Sequence, residues 1–228
     1  MNQTLLQAAA LVIPLILAIV FHEVAHGWTA LALGDPTARE QRRLSLNPLR
    51  HVDPVGTVIL PGALALAGAP IFGWAKPVPV NRWRLRDPKR GMMVVAAAGP
   101  VSNLVLAAIG AVLLGLLVRL AGSSESDVLQ FAGQNLNNFM MINVFLALFN
   151  LLPIPPFDGS HIVEGLLPRG LAEPYARLRP YGFPLLIVLL LVVPYFFPQW
   201  GLVGRLVVPP VMWATGHYYA LAQFVAGD

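Results

Sequence analysis

His22-Glu23-Val24-Ala25-His26 lies inside an apolar run that extends from Leu5 to Leu33. A helix rising about 1.5 Å per residue would cross a bilayer within that run. On such a helix positions 22 and 26 are one turn apart and share a face, so both imidazoles can reach one metal ion with Glu23 beside them. Two ligands and a neighbouring carboxylate base are what hydrolysis by metal-activated water requires. The plain alternative is a satisfied structural cluster. An ionisable side chain inside a membrane span costs roughly 3 kcal/mol, and groups kept at that cost mark function.

Composition sets the same environment. Of 228 residues, 57% are hydrophobic and 11% charged, which predicts an integral membrane protein with one domain over 1–228: a core at 5–158 and a C-terminal helix pair at 181–222. There are no cysteines, so disulfides and thiolate metal sites are excluded, and a metal must be held by His and carboxylate. The net charge of +4 is distributed in a way that argues against a nucleic-acid partner. Arg39, Arg42, Arg43 and Arg50 follow the first apolar run; Lys76, Arg82, Arg84, Arg86, Lys89 and Arg90 precede the next long one; Arg169, Arg177 and Arg179 precede the last pair. The loop at 121–127 carries Glu125 and Asp127 instead. The positive-inside rule then puts the basic segments, and the active site with them, toward the cytoplasm. The N-terminus lacks a basic n-region, so the first run reads as a retained span, not a cleaved signal.

Spans are expected at 5–33, 92–120, 135–153, 181–198 and 201–222, with prolines 184, 194, 209 and 210 kinking the last two and Tyr195, Phe197 and Trp200 as an aromatic belt between them. Residues 55–73 are apolar but broken by Pro61-Gly62, Gly68 and Pro70. A full sixth crossing there would put the basic loops on either side of it across the membrane from each other. A re-entrant or interfacial hairpin removes the conflict, and irregular backbone at membrane depth implies that it covers protein or a watery cavity.

A water-activating site needs a third protein ligand. Asp158 is the candidate, at the end of Asn150-Leu-Leu-Pro153-Ile-Pro155-Pro156-Phe157-Asp158-Gly159, where prolines unwind the end of a helix. Two neutral imidazoles, one Zn²⁺ and the carboxylates of Asp158 and Glu23 sum to zero charge, which a low-dielectric site favours. Asn103 and Asn150, near the ends of two spans, are candidates for oxyanion stabilisation or for holding substrate backbone, against the alternative of a structural hydrogen bond. His51 and Asp53, flanked by Pro48 and Pro54, read as a structural turn. His161 would sit near the metal without ligating it, and His217 would lie at an interface. Lys76 would meet lipid headgroups or substrate.

Together with Asn47-Pro-Leu-Arg-His51-Val-Asp53-Pro-Val-Gly-Thr57, Gly73-Trp-Ala-Lys-Pro-Val-Pro-Val-Asn81 and Ala98-Gly-Pro-Val-Ser-Asn103, these motifs make the chain resemble the site-2 protease family of intramembrane zinc metalloproteases. The resemblance implies cleavage within the membrane spans of single-pass substrate proteins, in regulated intramembrane proteolysis, by one zinc per chain. His22, His26 and Asp158 would be the ligands and Glu23 the base. It further implies an all-α polytopic fold of about five to six transmembrane helices in a bacterial inner membrane, with a small membrane-associated β-sheet drawn from 37–46 and 76–82. The first motif lies in the first expected span, and the chain has no room for a PDZ-type module. A non-catalytic membrane scaffold and a zinc-handling membrane protein are the rival classes. Intact Glu23 and Asp158 disfavour the first, and ionisable residues gathered at one site, not strung along several spans, disfavour the second.

Overall fold

The computed structural model describes residues 2–66, 68, 73–122, 126–196 and 203–227. Two helices in it are long and apolar enough to cross a membrane. They lie within α1 (Asn2–Ala32) and α4 (Pro88–Ala121). Both present Leu, Val and Ile outward along their length, including Leu11, Ile13, Val101, Val105 and Ile109, a surface that only an apolar medium satisfies. The other helices are α2 (Thr37–Glu40), α3 (Leu60–Leu66), α5 (Asp127–Asn150), α6 (Asp158–Leu166), α7 (Arg169–Ala176), α8 (Gly182–Ile187), α9 (Val193–Phe196) and α10 (Val208–Ala226).

The chain divides into two compact units. The first comprises Met1–Ala18, Pro100–Leu152 and Leu202–Asp228. Small side chains bring its helices close: Ala107 packs with Val144 and Ala214, and Ala111 with Met140 and Ala222. At Gly115 a Cβ would stand 2.3 Å from the Ala222 carbonyl oxygen, so α4 and α10 can approach this closely only at glycine. Neutral amides fasten the same helices. Asn103 Nδ2 donates to Ala18 O at 3.2 Å and to Asn143 Oδ1 at 2.7 Å, and Asn138 Nδ2 donates to Ala10 O at 2.8 Å. Tyr218 and Tyr219 hydroxyls donate to Leu104 O and Asn137 Oδ1.

The second unit comprises Ile19–Gly99 and Pro153–Gly201 and is organised by turns. Asp35-Pro36, Asn47-Pro48, Asp53-Pro54 and Asp87-Pro88 share one device: each side-chain oxygen accepts the backbone N–H two residues on, at 3.0 Å in every case. Proline fixes φ at the intervening position and removes the one N–H that the turn could not use. The His51–Asp53 turn expected from the prolines is one of these, with His51 Nε2 bonded to Ser45 O at 2.8 Å.

The described residues at the two ends of 54–74 are tied together. Trp74 N donates to Gly56 O at 3.1 Å and Thr57 Oγ1 to Trp74 O at 2.9 Å, so the two ends of the segment lie side by side. Closure depends on two glycines: a Cβ at Gly56 would lie 2.3 Å from the Trp74 ring and one at Gly73 would lie 2.2 Å from Gly56 O.

Two expectations change. No strand occurs among the described residues: Thr37–Glu40 is a helical turn, and 73–81 is extended without a partner strand. Pro77 and Pro79 have no N–H to give a ladder, while Trp74, Lys76, Val78 and Asn81 spend theirs on Gly56 O, His51 O, Glu23 Oε2 and Asp35 Oδ2. Of the five expected spans, two helices meet the length and apolarity of a crossing among the described residues. Asparagines 135, 137, 138 and 143 dilute the apolar character of α5, and the run from 181 is helical over 182–196 with a π-helical stretch at Val188–Val192. Glu125, Phe197 and Trp200 lie outside the described residues.

Asn103→Ala removes both donors from a fully buried site between helices. It should lower the thermal midpoint in detergent, a loss of about 1–2 kcal/mol, and leave metal content per folded chain unchanged. An unchanged midpoint with lost turnover would give Asn103 back to the substrate.

Candidate metal centre

The motif residues sit in the part of α1 that belongs to the second unit. His26 Nδ1 is 2.7 Å from Val95 O, and because a carbonyl can only accept, Nδ1 carries a proton, so in the neutral imidazole Nε2 presents its lone pair. His22 Nε2 lies 3.0 Å from it, with the two rings perpendicular at 88°. Gly99 makes the room: a Cβ there would come within 2.5 Å of His26 Cε1 and Nε2 and 2.6 Å of His22 Cε1.

Asp158 arrives from the other side of the same unit. Helix α5 ends at Asn150, residues 151–157 with their three prolines are non-helical, and α6 begins at Asp158 itself. The turn is braced from outside. Tyr175 Oη donates to Pro153 O at 2.5 Å, and Gly182 packs so closely on Pro155 that a Cβ would lie 2.7 Å from the proline's own. Asp158 Oδ2 then stands 3.1 Å from His22 Nε2 and 3.4 Å from His26 Nε2.

These three atoms form the one grouping of three or more potential metal ligands among the described residues. Zinc bonded at about 2.05 Å in a tetrahedron would hold its ligands about 3.3 Å apart, close to the 3.0, 3.1 and 3.4 Å found here. Asp158 Oδ2 is also buried with no hydrogen bond. A buried carboxylate oxygen and an imidazole lone pair turned toward one point are a poor arrangement without a cation between them. The residues therefore fit a zinc ion.

Glu23 points to the segment that failed to become a strand. Its Oε2 accepts the Val78 N–H at 2.7 Å, and with proline on either side Val78 holds the only N–H in Pro77–Pro79. Gly27 lets this segment approach, since a Cβ would fall 2.8 Å from Val78 Cγ1 and 2.5 Å from Leu44 Cδ2. Two groups the sequence reading passed over fix its position. Asp35, fully buried, accepts from Asn81 N at 2.6 Å, and Arg43 Nη2 donates to the Lys76 carbonyl at 2.8 Å. Only the Asp-Pro pairing at 35–36 offered a signal for either.

Asn103 and Asn150 make hydrogen bonds of their own. Both belong to the first unit, where Asn103 joins helices and Asn150 Nδ2 donates to Leu146 O, one turn back in its own helix, at 2.9 Å. His161 is not among the ligand group; its Nδ1 is 3.3 Å from Arg179 Nη2. His217 is exposed, bonded to Trp213 O at 2.9 Å.

Two outcomes follow from this geometry. Gly99→Ala should lower bound zinc per purified chain nearly as far as Asp158→Ala, as read by mass spectrometry; full zinc in Gly99→Ala would show that the imidazoles have slack. Burial, helped by Arg179, pushes His161 down from 6.5 to about 4, so the unfolded chain binds more protons between those values. Stability from this residue is whole above pH 6.5 and falls as pH drops toward 4. His161→Gln should flatten that part of the thermal midpoint's pH profile.

The sequence pattern of Peptidase family M50 matches residues 121–193, a stretch that includes Asp158. Over 179 residues, 78% of each chain, the protein is 42% identical to "Putative zinc metalloprotease YwhC" of Bacillus subtilis. It is 30% identical over 179 residues to Rip2 of Mycolicibacterium smegmatis, covering 78% of this chain and 65% of that one, and 29% identical over 182 residues to Rip2 of Mycobacterium tuberculosis. Both carry the same activity in their names. No solved structure matches. The chain belongs to peptidase family M50, the site-2 protease family.

Proposed function

We propose that the protein is an intramembrane zinc metalloprotease that hydrolyses peptide bonds within the membrane-spanning segments of single-pass proteins. The observation that carries this reading is the convergence of His22 Nε2, His26 Nε2 and Asp158 Oδ2, with the Glu23 carboxylate held at the next position along α1. The apolar outer faces of α1 and α4 support a site set within a bilayer. The basic segments support a multi-pass inner-membrane protein with its active site toward the cytoplasm.

His22, His26 and Asp158 would hold one zinc, which when bound supplies a Lewis acid that acidifies water and polarises a carbonyl. Glu23 does the proton work. With Oε2 anchored on the Val78 amide, its other oxygen takes the proton of the attacking water and returns it to the leaving amide nitrogen. The anchor also keeps Glu23 from swinging into the metal's ligand set. A substrate helix must unwind before it is cut, because its own hydrogen bonds shield the amide.

Glu23→Gln should retain about one zinc per chain and lose roughly 10²-fold or more of the cleavage of a single-pass membrane reporter. Wild-type cleavage in that variant would overturn the base assignment. A folded wild type without zinc would overturn the whole reading.

A further inference from the structure

Outside the ligand group, the second unit buries two more carboxylates, Asp35 and Glu164. Glu164 on α6 is 8% exposed, and two guanidiniums close on it: Arg82 Nη2 reaches Oε1 at 3.4 Å and Arg179 Nη2 donates to Oε2, with His161 Nδ1 3.9 Å away. Each partner comes from a segment that orients part of the metal centre. Arg82 follows Asn81, which is tied to Asp35 and ends the segment whose Val78 amide holds Glu23. Arg179 lies just before Gly182, which packs on Pro155 next to Asp158. Glu164 itself lies six residues, about 9 Å of helix rise, along α6 from Asp158.

We infer that Glu164 is a positioning residue for the metal centre, a buried clamp that sets the rotation and axial position of α6 and so holds Asp158 in register with His22 and His26. The inference rests on the metal reading above. Metal ligands must be held within about 0.5 Å of their productive geometry, and a residue at the first position of a nine-residue helix has little of its own to hold it there. One carboxylate between two arginines differs from an ordinary surface pair such as Arg84–Glu40, which is exposed at both ends. Removing the Glu164 charge leaves Arg82 and Arg179 facing each other uncompensated, and their repulsion moves the two segments that α6 depends on. Other contacts keep α6 docked: at Gly165 a Cβ would meet Met93 Cβ at 2.5 Å, and Lys89 Nζ donates to Leu167 O. The loss is therefore one of register, not of fold.

The experiment follows the release of zinc to a chelator from detergent-purified wild type, Glu164→Gln, Arg82→Gln and the surface control Arg84→Gln. Thermal midpoints of the metal-free forms and the visible spectra of the cobalt-substituted forms are taken in parallel. Glu164→Gln should lose zinc at least tenfold faster and show an altered cobalt spectrum, at a metal-free midpoint close to wild type, with Arg84→Gln unchanged throughout. Arg82→Gln, which leaves the Glu164–Arg179 pair intact, should shift in the same direction by less, and it decides the matter if Glu164→Gln does not fold. Wild-type zinc release in both clamp variants overturns the inference. So does a lowered metal-free midpoint with unchanged zinc release, the result of a purely structural pair. A wild type that binds no metal fails at an earlier point, since it removes the metal reading as well.

Discussion

Three electron-rich atoms held 3.0 to 3.4 Å apart in a buried setting are the constraint to which the second unit answers. A carboxylate oxygen without a hydrogen bond, beside a neutral imidazole whose proton is committed elsewhere, is well completed by a cation. The local sequence can be read as the means of assembling that arrangement. Val95 sets the tautomer, Gly99 clears the space and the prolines before Asp158 end one helix so that another can start on a ligand.

The proposed base answers a related constraint. A carboxylate cannot be ligand and base at once, and Glu23 has one of its oxygens given to a backbone amide on a different segment. That segment looks like a strand because it is extended and alternates apolar residues with prolines, yet it serves as a brace. Its N–H groups are consumed by Gly56, His51, Glu23 and Asp35, so its order comes from fixed acceptors around it and not from a sheet.

What was legible in the sequence was local or had a strong physical sign. The i, i+4 spacing of His22 and His26 needs only a helix, and the proline-broken turn before Asp158 needs only proline's missing N–H. What was not legible depended on partners far along the chain. Nothing local separates an asparagine that binds substrate from one that fastens helices, and the bonds of Asn103 reach Ala18 and Asn143, 85 and 40 positions away. The strand expected at 76–82 was lost to acceptors 25 to 55 residues away in sequence, and the Arg82–Glu164–Arg179 cluster joins residues that no periodicity connects.

The two units also solve the problem of polarity in an apolar chain differently. In the first, helices are joined by neutral amides and tyrosine hydroxyls, whose donors find acceptors in a neighbouring helix; such bonds are each worth about 0.6 kcal/mol in membrane proteins and carry no charge to neutralise. In the second, charged groups are buried or half-buried and held by partners placed for them: buried Asp35 by two backbone amides and a hydroxyl, buried Glu164 by two arginines, half-buried Glu23 by Val78. Charge is thereby confined to where it acts on, or steadies, the residues around Asp158. A fold that used ion pairs to hold its long helices together would bear the desolvation cost along their whole length. By using amides there, the chain reserves buried charge for the unit that carries the chemistry.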